Sequence, residues 1–578
     1  MIDTSKKFCS ILLDVLEAQG VCDVVCSPGS RNVPLLIAAA AREGLKKHFA
    51  VDERSAGFLG LGLALVKNAP VALICTSGTA LLNYAPAVAE AYYQGIPLIV
   101  ISADRPIQWI DQDDSQTLRQ DGALDNFVKK SFSIPANGDD TKEMLWYVER
   151  IANEAMITAA SGKKGPVHIN VHLSEPLNEK VKCGRNPAII RNLESDSFAN
   201  KEVIKELATE IAESKVMLVA GFNQPDSALQ KVITEFSRFP NVVVMAETIS
   251  NLHLDYDDYA VDSVLTAYSP QELDSYAPQL VISIGGSLVS RKLKEYLRRN
   301  SNSCRHWSVG YSHTLSDPFQ SLSTHIECNP YRFFRAINSV LRKRLIAMPH
   351  NSKDSSLDLS GFSSDIYRNL WHELRVTALD IKNSKVRRAP WSELLAFQMI
   401  LNDIPTSYNL FLSNGTAIRY AQIINYPLPH ASYCNRGVSG IDGSLSTAIG
   451  GAIAFKGSSL LVTGDLSMAY DIGALGLRNI PERFKVIVID NQGGGIFRFI
   501  PSTSDLEERE EYLCQPPLLP LKDLAHGYGW NYFDAFDEKS LASVLPDFFT
   551  STRKAILKVT CDGQVSAKIL KSYFAQKV

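Results

Sequence analysis

Short apolar runs recur along the chain, the clearest being DVVCS (23–27), VALICTS (71–77), PLIVISA (97–103), VMLVAG (216–221), NVVVMA (241–246), LVISIGG (280–286), SLLVTG (459–464) and KVIVID (485–490). Their apolar positions are consecutive, not alternate, so both faces of each strand are marked for burial, and helical patterns separate one run from the next. That combination predicts an α/β fold of doubly wound parallel sheets covered by helices on both faces. Two stretches break the rhythm: residues 178–200, and 343–390 with MPHNSKDSSLDLSGFSS, are polar and turn-rich and read as linkers. Three blocks follow, at 1–180, 195–345 and 385–578. The N-terminal MIDTSKKFCSILLDVLEAQG, with charges on both sides of a very short apolar patch, reads as an amphipathic helix and not a signal peptide.

The outer blocks echo each other. TSGTALLNYAPAVAEAYYQGIPLIVISAD and TGDLSMAYDIGALGLRNIPERFKVIVIDN superpose without a gap, Gly78 standing 26 positions before Asp104 and Asp465 standing 26 before Asn491. A small-residue helix precedes each, RSAGFLGLGLAL in one and SLSTAIGGAIAF in the other. Any βαβ unit has a similar length; the matching upstream helices are what point to duplication.

Composition narrows the function classes. At 578 residues the chain exceeds one core, and 45% hydrophobic with 21% charged residues is ordinary globular usage. A net charge of −3 gives no electrostatic case for nucleic acid or an anionic membrane surface. No apolar run approaches the roughly 18 residues of a membrane span. The ten cysteines are scattered, and Cys22 and Cys26 lack metal or redox spacing, so core thiols and a cytoplasmic setting are expected.

Candidate chemistry gathers at strand ends. In a parallel α/β sheet, ligands sit beyond the carboxyl ends of the strands, where loops lead into helix N-termini. Asp465 and Asn491 occupy that position on successive strands, and Gln492-Gly493-Gly494-Gly495 follows with the freedom to take positive φ and turn a carbonyl toward a metal. A carboxylate, an amide oxygen and a carbonyl make a hard-oxygen set with too little charge for a Ca²⁺ cage. It suits Mg²⁺ completed by phosphate oxygens and water, with the free N–H groups after Asp465 meeting the same phosphate. The bland reading of Gly-Asp before a helix is a cap.

This arrangement resembles the Gly-Asp…Asn signature of thiamine diphosphate enzymes, with Leu466 where glycine is usual. The resemblance implies the three-block fold of those enzymes, with a pyrimidine-binding first domain and a diphosphate-binding last one. It also implies an ion held by Asp465, Asn491 and the Gly493 carbonyl. Glu53, in FAVDERSAGFLGLGLAL, would be the catalytic glutamate that activates the cofactor; on local sequence alone a charged helix start capped by Asp52 is the stronger reading.

Further loops carry cations suited to carboxylates: Ser30 and Arg31 in SPGSRNVPL, Arg105 in SADRP, Gln116 in SQTLRQ, Arg419 in SNGTAIR and Arg436 in YCNRGVSGIDG. Together with DERSAGF, TSGTA, GPVHINV, GDLSMAYD and GGGIFRF, these segments resemble the 2-succinyl-5-enolpyruvyl-6-hydroxy-3-cyclohexene-1-carboxylate synthase family from residue 27 to 499. Related acetolactate synthases and 2-oxoacid decarboxylases share neither PGSRN nor NRGxSGIDG. The resemblance implies decarboxylation of 2-oxoglutarate and addition of the succinyl carbanion equivalent to isochorismate, in menaquinone biosynthesis. It assigns Ile441, Gly464, Ser467 and Gly415 to thiamine diphosphate, and Mg²⁺ or Mn²⁺ to the ion site. It assigns Ser30, Arg31, Arg105, Gln116, Arg419, Arg436 and, in GGSLVSRKL, Arg291 and Lys292 to substrate. Ile496, Phe497 and Ile500 would wall the reacting carbon, although by spacing they serve equally as core. It further implies a homodimer or homotetramer with the site between subunits.

Two departures stand out. Gly415 replaces a common serine, which puts a diphosphate contact in question, and Asp113 and Asp114 add negative charge beside an anion site. Rival readings are another thiamine-dependent carboligase or decarboxylase, and a non-catalytic nucleotide- or flavin-binding protein suggested by SIGGS in the middle block.

Overall fold

The computed structural model describes residues 2–136, 141–182, 186–193, 198–254, 261–346, 366–424 and 426–575. Its strands run β1 (Ile2–Thr4), β2 (Asp23–Cys26), β3 (Lys46–Phe49), β4 (Val71–Cys75), β5 (Leu98–Asp104), β6 (Ser131–Ile134), β7 (Val167–His172) and β8 (Lys180–Lys182) in the first part of the chain. β9 (Val216–Ala220), β10 (Val242–Ala246), β11 (Leu280–Ile284), β12 (Arg305–Val309) and β13 (Leu322–Ile326) follow in the middle. β14 (Asn409–Leu412), β15 (Ala431–Tyr433), β16 (Ser459–Gly464), β17 (Phe484–Asp490), β18 (Asn531–Ala535) and β19 (Ala555–Thr560) complete the set.

Each of the eight apolar runs forms a strand, and all eight lie in parallel sheets. The first six-stranded sheet is ordered β3-β2-β4-β5-β7-β6 and the last β15-β14-β16-β17-β19-β18. Counted within each sheet, both orders are second, first, third, fourth, sixth, fifth, so the repeat to which the matching upstream helices point extends to the whole topology. The middle sheet is five-stranded, β10-β9-β11-β12-β13. The N-terminal amphipathic helix spans Lys7–Ala18, and β1 before it pairs antiparallel with β8.

The two small-residue helices, Glu53–Lys67 and Ser444–Ala454, pack on each other and join the outer blocks in one hydrophobic core. Glycine is required at this contact. A Cβ on Gly62 would lie 2.0 Å from the Thr447 carbonyl oxygen, and one on Gly450 2.2 Å from that of Leu59. The backbones are therefore too close for any side chain.

The linker reading of 343–390 needs correction. Residues 347–365 lie outside the described residues, but Ile366–Arg387 is a 22-residue helix. Tyr367, Trp371, Leu374, Ala378 and Lys382 recur on one buried face, packed against β10 and the helix Val261–Ala267. Its far end is fastened to the last block by Lys382 Nζ, which donates to the Tyr573 carbonyl at 2.7 Å. The polar run before the helix masked a regular apolar spacing within it. In 178–200, β8 interrupts a described backbone otherwise without regular structure until its last residue. Among the described residues the cysteines are free thiols, and no helix is long and apolar enough to cross a membrane.

Candidate active site

The Gly-Asp corner is built by β16 running into the helix Asp465–Tyr470. Asp465 is 5% exposed. Its Oδ1 accepts from its own helix at Leu466 N (2.8 Å), and its Oδ2 accepts from Gly493 N (2.7 Å) on the loop after β17. Asp465 is thus a helix-end acceptor and also the tie between two strand-end loops. Burial pushes its pKa up to about 6, against the two N–H donors that favour the charge.

Asn491, one residue beyond β17, is 4% exposed. Its Nδ2 donates to Glu393 Oε1 at 2.9 Å, while its Oδ1 is buried without a hydrogen-bond partner. An orphaned amide oxygen on the strand next to a buried carboxylate is what a hard cation needs. Among the described residues no cluster of three His, Cys, Asp or Glu side chains exists, so phosphate and water would complete such a shell. The donor set therefore fits a magnesium-type ion clamped to a diphosphate.

The glycine run takes the expected left-handed backbone at Gly493 (φ +83°) and Gly494 (φ +45°). The Gly493 carbonyl, however, accepts from Arg498 Nη1 at 2.8 Å, so it is through its N–H that Gly493 reaches Asp465. Arg498 also gathers the Asn491 and Gln492 carbonyls and pairs with Glu510 at 2.9 Å. Sequence reading passed over this arginine because nothing in GGGIFRF distinguishes it from a surface cation.

Ser467 Oγ donates to the Ile441 carbonyl at 2.6 Å, while the Ile441 side chain stays 37% exposed. A fixed backbone with a projecting apolar side chain is the geometry a prop requires. Gly464 meets nothing within 4 Å of an added Cβ. Gly415 sits at φ +95° at the start of the helix Thr416–Ile423, where a serine would be strained. The neighbouring Asn414 makes the cross-loop contacts instead, donating to the Asn435 and Gly440 carbonyls.

Glu53 is the first residue of its helix. Asp52 is the cap, accepting from Arg54 N (2.9 Å) and Ser55 N (3.3 Å), so capping does not fall to the Glu53 carboxyl. Burial, then the charge of Asp52, raises its pKa. The helix start leans on the last block: Arg54 Nη2 donates to the Tyr470 carbonyl, and Ser55 Oγ lies 3.5 Å from Asp471.

The substrate candidates divide. Arg31 and Arg105 come close enough to repel each other, with Arg31 on the Leu173 carbonyl (3.1 Å) and Glu175 (3.3 Å). Arg105 is engaged by Asp114 (3.0 Å) and by the Ser115 carbonyl, so one of the two suspected negative charges lies against it. Ser30 and Gln116 are exposed, Gln116 at φ +60°. Arg419 and Arg436 also repel each other. Arg419 bonds to the Gly415 carbonyl, and Arg436 Nη1 donates to Asn414 (3.0 Å) with a buried Nε left free. Arg291 is turned to the surface on Glu295 (2.7 Å) and Lys292 stacks over Phe574, whereas Lys294, not singled out from sequence, is the residue of that helix that feels Arg436. Ile496, Phe497 and Ile500 are half-buried and stand outside the buried core, which favours the wall over the core alternative.

Other buried acids escaped sequence reading. Glu90, in a helix of small apolar residues, accepts from Gly437 and Val438, and Asp471 accepts from Ser446 N and Oγ. A lone acid inside an apolar helical run was the available signal. His172, at the end of β7, meets the Arg105 carbonyl with Nδ1 (2.6 Å) and Asp121 with Nε2 (3.2 Å).

Two matching parallel sheets, a Gly-Asp…Asn rim and a half-buried glutamate at a helix start define the thiamine diphosphate class of α/β enzymes. Residues 6–124 match the family model described as the thiamine pyrophosphate enzyme N-terminal TPP binding domain. Proteins named 2-succinyl-5-enolpyruvyl-6-hydroxy-3-cyclohexene-1-carboxylate synthase are similar over nearly the whole chain. That of Porphyromonas gingivalis is 40% identical over 99% of this chain and 97% of its own. Those of Flavobacterium psychrophilum (36%; 97% and 97%) and Bacteroides fragilis (34%; 99% and 99%) follow. The chain belongs to the 2-succinyl-5-enolpyruvyl-6-hydroxy-3-cyclohexene-1-carboxylate synthase family.

Proposed function

We propose that the chain decarboxylates 2-oxoglutarate and joins the succinyl carbanion equivalent to isochorismate, with thiamine diphosphate and Mg²⁺ or Mn²⁺, as a step of menaquinone biosynthesis. The observation that carries this reading is the buried, unpartnered Oδ1 of Asn491, just beyond β17, the strand paired with the one that leads into Asp465. Asp465 and Asn491 would hold the ion, joined by the Gly493 carbonyl through the lone pair that Arg498 does not take, and Gly464, Ser467 and Gly415 would border the diphosphate, with Asn414 near at hand. Thiamine diphosphate, when bound, supplies an electron sink for the charge left by CO2 loss. Glu53 would face the cofactor ring, and burial, by raising its pKa, favours the protonated carboxyl that can donate there.

Ser30, Arg31, Arg105, Gln116, Arg419 and Arg436 bind the carboxylates and hydroxyls of the two substrates. Ile441 props the cofactor, and Ile496, Phe497 and Ile500 keep water from the reacting carbon. Arg291 and Lys292 join only if their helix start reorients. The exposed apolar side chains Val438, Ile441 and Tyr470 near this rim support a homodimer or homotetramer that shares the site between subunits. The same reading makes the enzyme cytoplasmic.

The test is a coupled assay with 2-oxoglutarate and isochorismate, with and without Mg²⁺. CO2 release matched by isochorismate consumption is expected. Pyruvate turnover that leaves isochorismate untouched would instead identify another carboligase.

A further inference from the structure

Glu393 opens the helix Glu393–Asp403, is 2% exposed, and has its backbone N–H bonded to Ser566 Oγ at 3.0 Å. Its Oε1 accepts from Asn491 Nδ2 at 2.9 Å. Oε1 is the acceptor of this contact, so it meets the NH2 end of the Asn491 amide and decides which end faces which way. The NH2 group is turned to Glu393, and Oδ1 is presented on the other side, buried and without a partner. The two ends of a primary amide have nearly the same shape, so packing alone does not choose between them. A flipped Asn491 would aim two N–H donors where an oxygen is needed. Gly495 completes the arrangement, because a Cβ there would stand 2.3 Å from Asn491 Nδ2 and would press the amide off the carboxylate.

We propose that Glu393 is a positioning residue of the cation site, orienting the Asn491 amide so that Oδ1 faces the ion. The proposal rests on the assignment of Asp465 and Asn491 as ion ligands. Groups that orient metal ligands from behind commonly matter 10- to 100-fold in metal affinity.

The probe is Mn²⁺, titrated into the full-length protein with thiamine diphosphate present and followed by the loss of the free-ion paramagnetic resonance signal. In Glu393→Gln the partner can accept or donate, so the Asn491 amide loses its preferred orientation. The Mn²⁺ Kd of this variant is expected to rise at least about tenfold, with the thermal midpoint of the ion-free protein close to that of the parent. Adding Asn491→Asp should recover much of the affinity. Both oxygens of a carboxylate accept, so one can take the N–H offered from position 393 while the other faces the ion, whichever way the group turns. Parent-like Mn²⁺ affinity in Glu393→Gln, alongside its loss in Asn491→Ala, would overturn the positioning role. Parent-like affinity in Asn491→Ala would instead remove the ion-site assignment itself. Should Glu393→Gln fail to fold, the Glu393→Gln/Asn491→Asp double variant carries the test: affinity near the parent supports the proposal, and its loss overturns it.

Discussion

Glu90 grips Gly437. The carboxylate, on the helix Ala85–Gln94 of the first block, accepts from Gly437 N at 2.6 Å with one oxygen and from Val438 N at 2.7 Å with the other. It is 1% exposed, and the loop it holds carries Arg436 on one side and Ile441 on the other. One buried acid thereby sets Arg436 and Ile441, the proposed substrate cation and cofactor prop, at once. Glu90→Gln replaces one acceptor by an NH2 facing an N–H, so a buried donor is left unsatisfied. The expected cost is about 1–3 kcal/mol of stability, read by denaturant unfolding, together with a raised KM through Arg436. A variant as stable as the parent would show that the loop is held by other contacts.

A second relationship predicts a pH dependence. The ring nitrogens of His172 face the Arg105 carbonyl and Asp121, so bonding both at once requires the protonated ring. Asp104, 3.9 Å from Nδ1, is the other acid beside it. Burial opposes the charge, but Asp121, the Arg105 carbonyl and Asp104 outweigh it and raise the pKa; the bond from His172 in turn holds Asp121 down to about 2. The His172 contribution is present below the ordinary histidine value and is lost as pH rises through the raised one. The Asp121 contribution is present above the ordinary aspartate value and is lost as pH falls toward 2. The clamp joins both ends of the loop that carries Arg105 and Gln116. KM for the substrate proposed to bind there should therefore rise on the alkaline side, and His172→Gln should raise KM at neutral pH and flatten that limb. An unchanged profile would remove the clamp.

The eight strands were legible because a strand buried on both faces has no choice but consecutive apolar residues. Short edge strands such as β3, KKHF, carry no such mark, since one side of the ladder and part of each face meet solvent. Asp465, Asn491 and Glu53 could be singled out because the chemistry proposed for them is tied to fixed places at the ends of strands. Glu393 could not: its partner Asn491 is 98 residues away in sequence, and only folding brings the pair together. Arg498 was hidden for the opposite reason, as its partners are local carbonyls that any loop possesses.

Asp114 tempers the anion site. Its contact with Arg105 is partly exposed, the side chains keeping 18% and 35% of their surface for Arg105 and Asp114, so the pair is worth no more than about 1 kcal/mol. A substrate carboxylate must share or displace it. Asp114→Asn should lower KM by up to about fivefold with kcat little changed, as steady-state kinetics at moderate ionic strength would show. A raised KM would mean that Asp114 orients Arg105 productively.

Asp52 tunes Glu53. After burial, its charge is what raises the Glu53 pKa, yet its structural task is only to cap the helix. Asparagine caps as well as aspartate, so Asp52→Asn separates the two roles. Its acid limb in kcat should move to lower pH with thermal stability retained. Glu53→Gln, by contrast, should abolish turnover while cofactor binding, followed by calorimetry, stays near that of the parent. Full activity in Glu53→Gln would exclude it as the activating group.

The glycine contact between the outer blocks sets a stability prediction with an internal control. A Cβ on Gly62 would stand 2.0 Å from the Thr447 oxygen, a backbone atom that cannot rotate away, so Gly62→Ala must separate the two helices. That movement would shift the start of the Glu53 helix against the last block, where Arg54 and Ser55 now touch Tyr470 and Asp471. The loss should reach or exceed the ~1–3 kcal/mol of ordinary overpacking, and activity should fall with it. Gly527 offers the comparison: it ends the helix Leu521–Gly527, and nothing lies within 4 Å of an added Cβ. Gly527→Ala should be neutral or stabilising by about 0.4–1 kcal/mol, through the unfolded chain. Equal melting temperatures for the two variants would show that the helix pair relaxes at no cost.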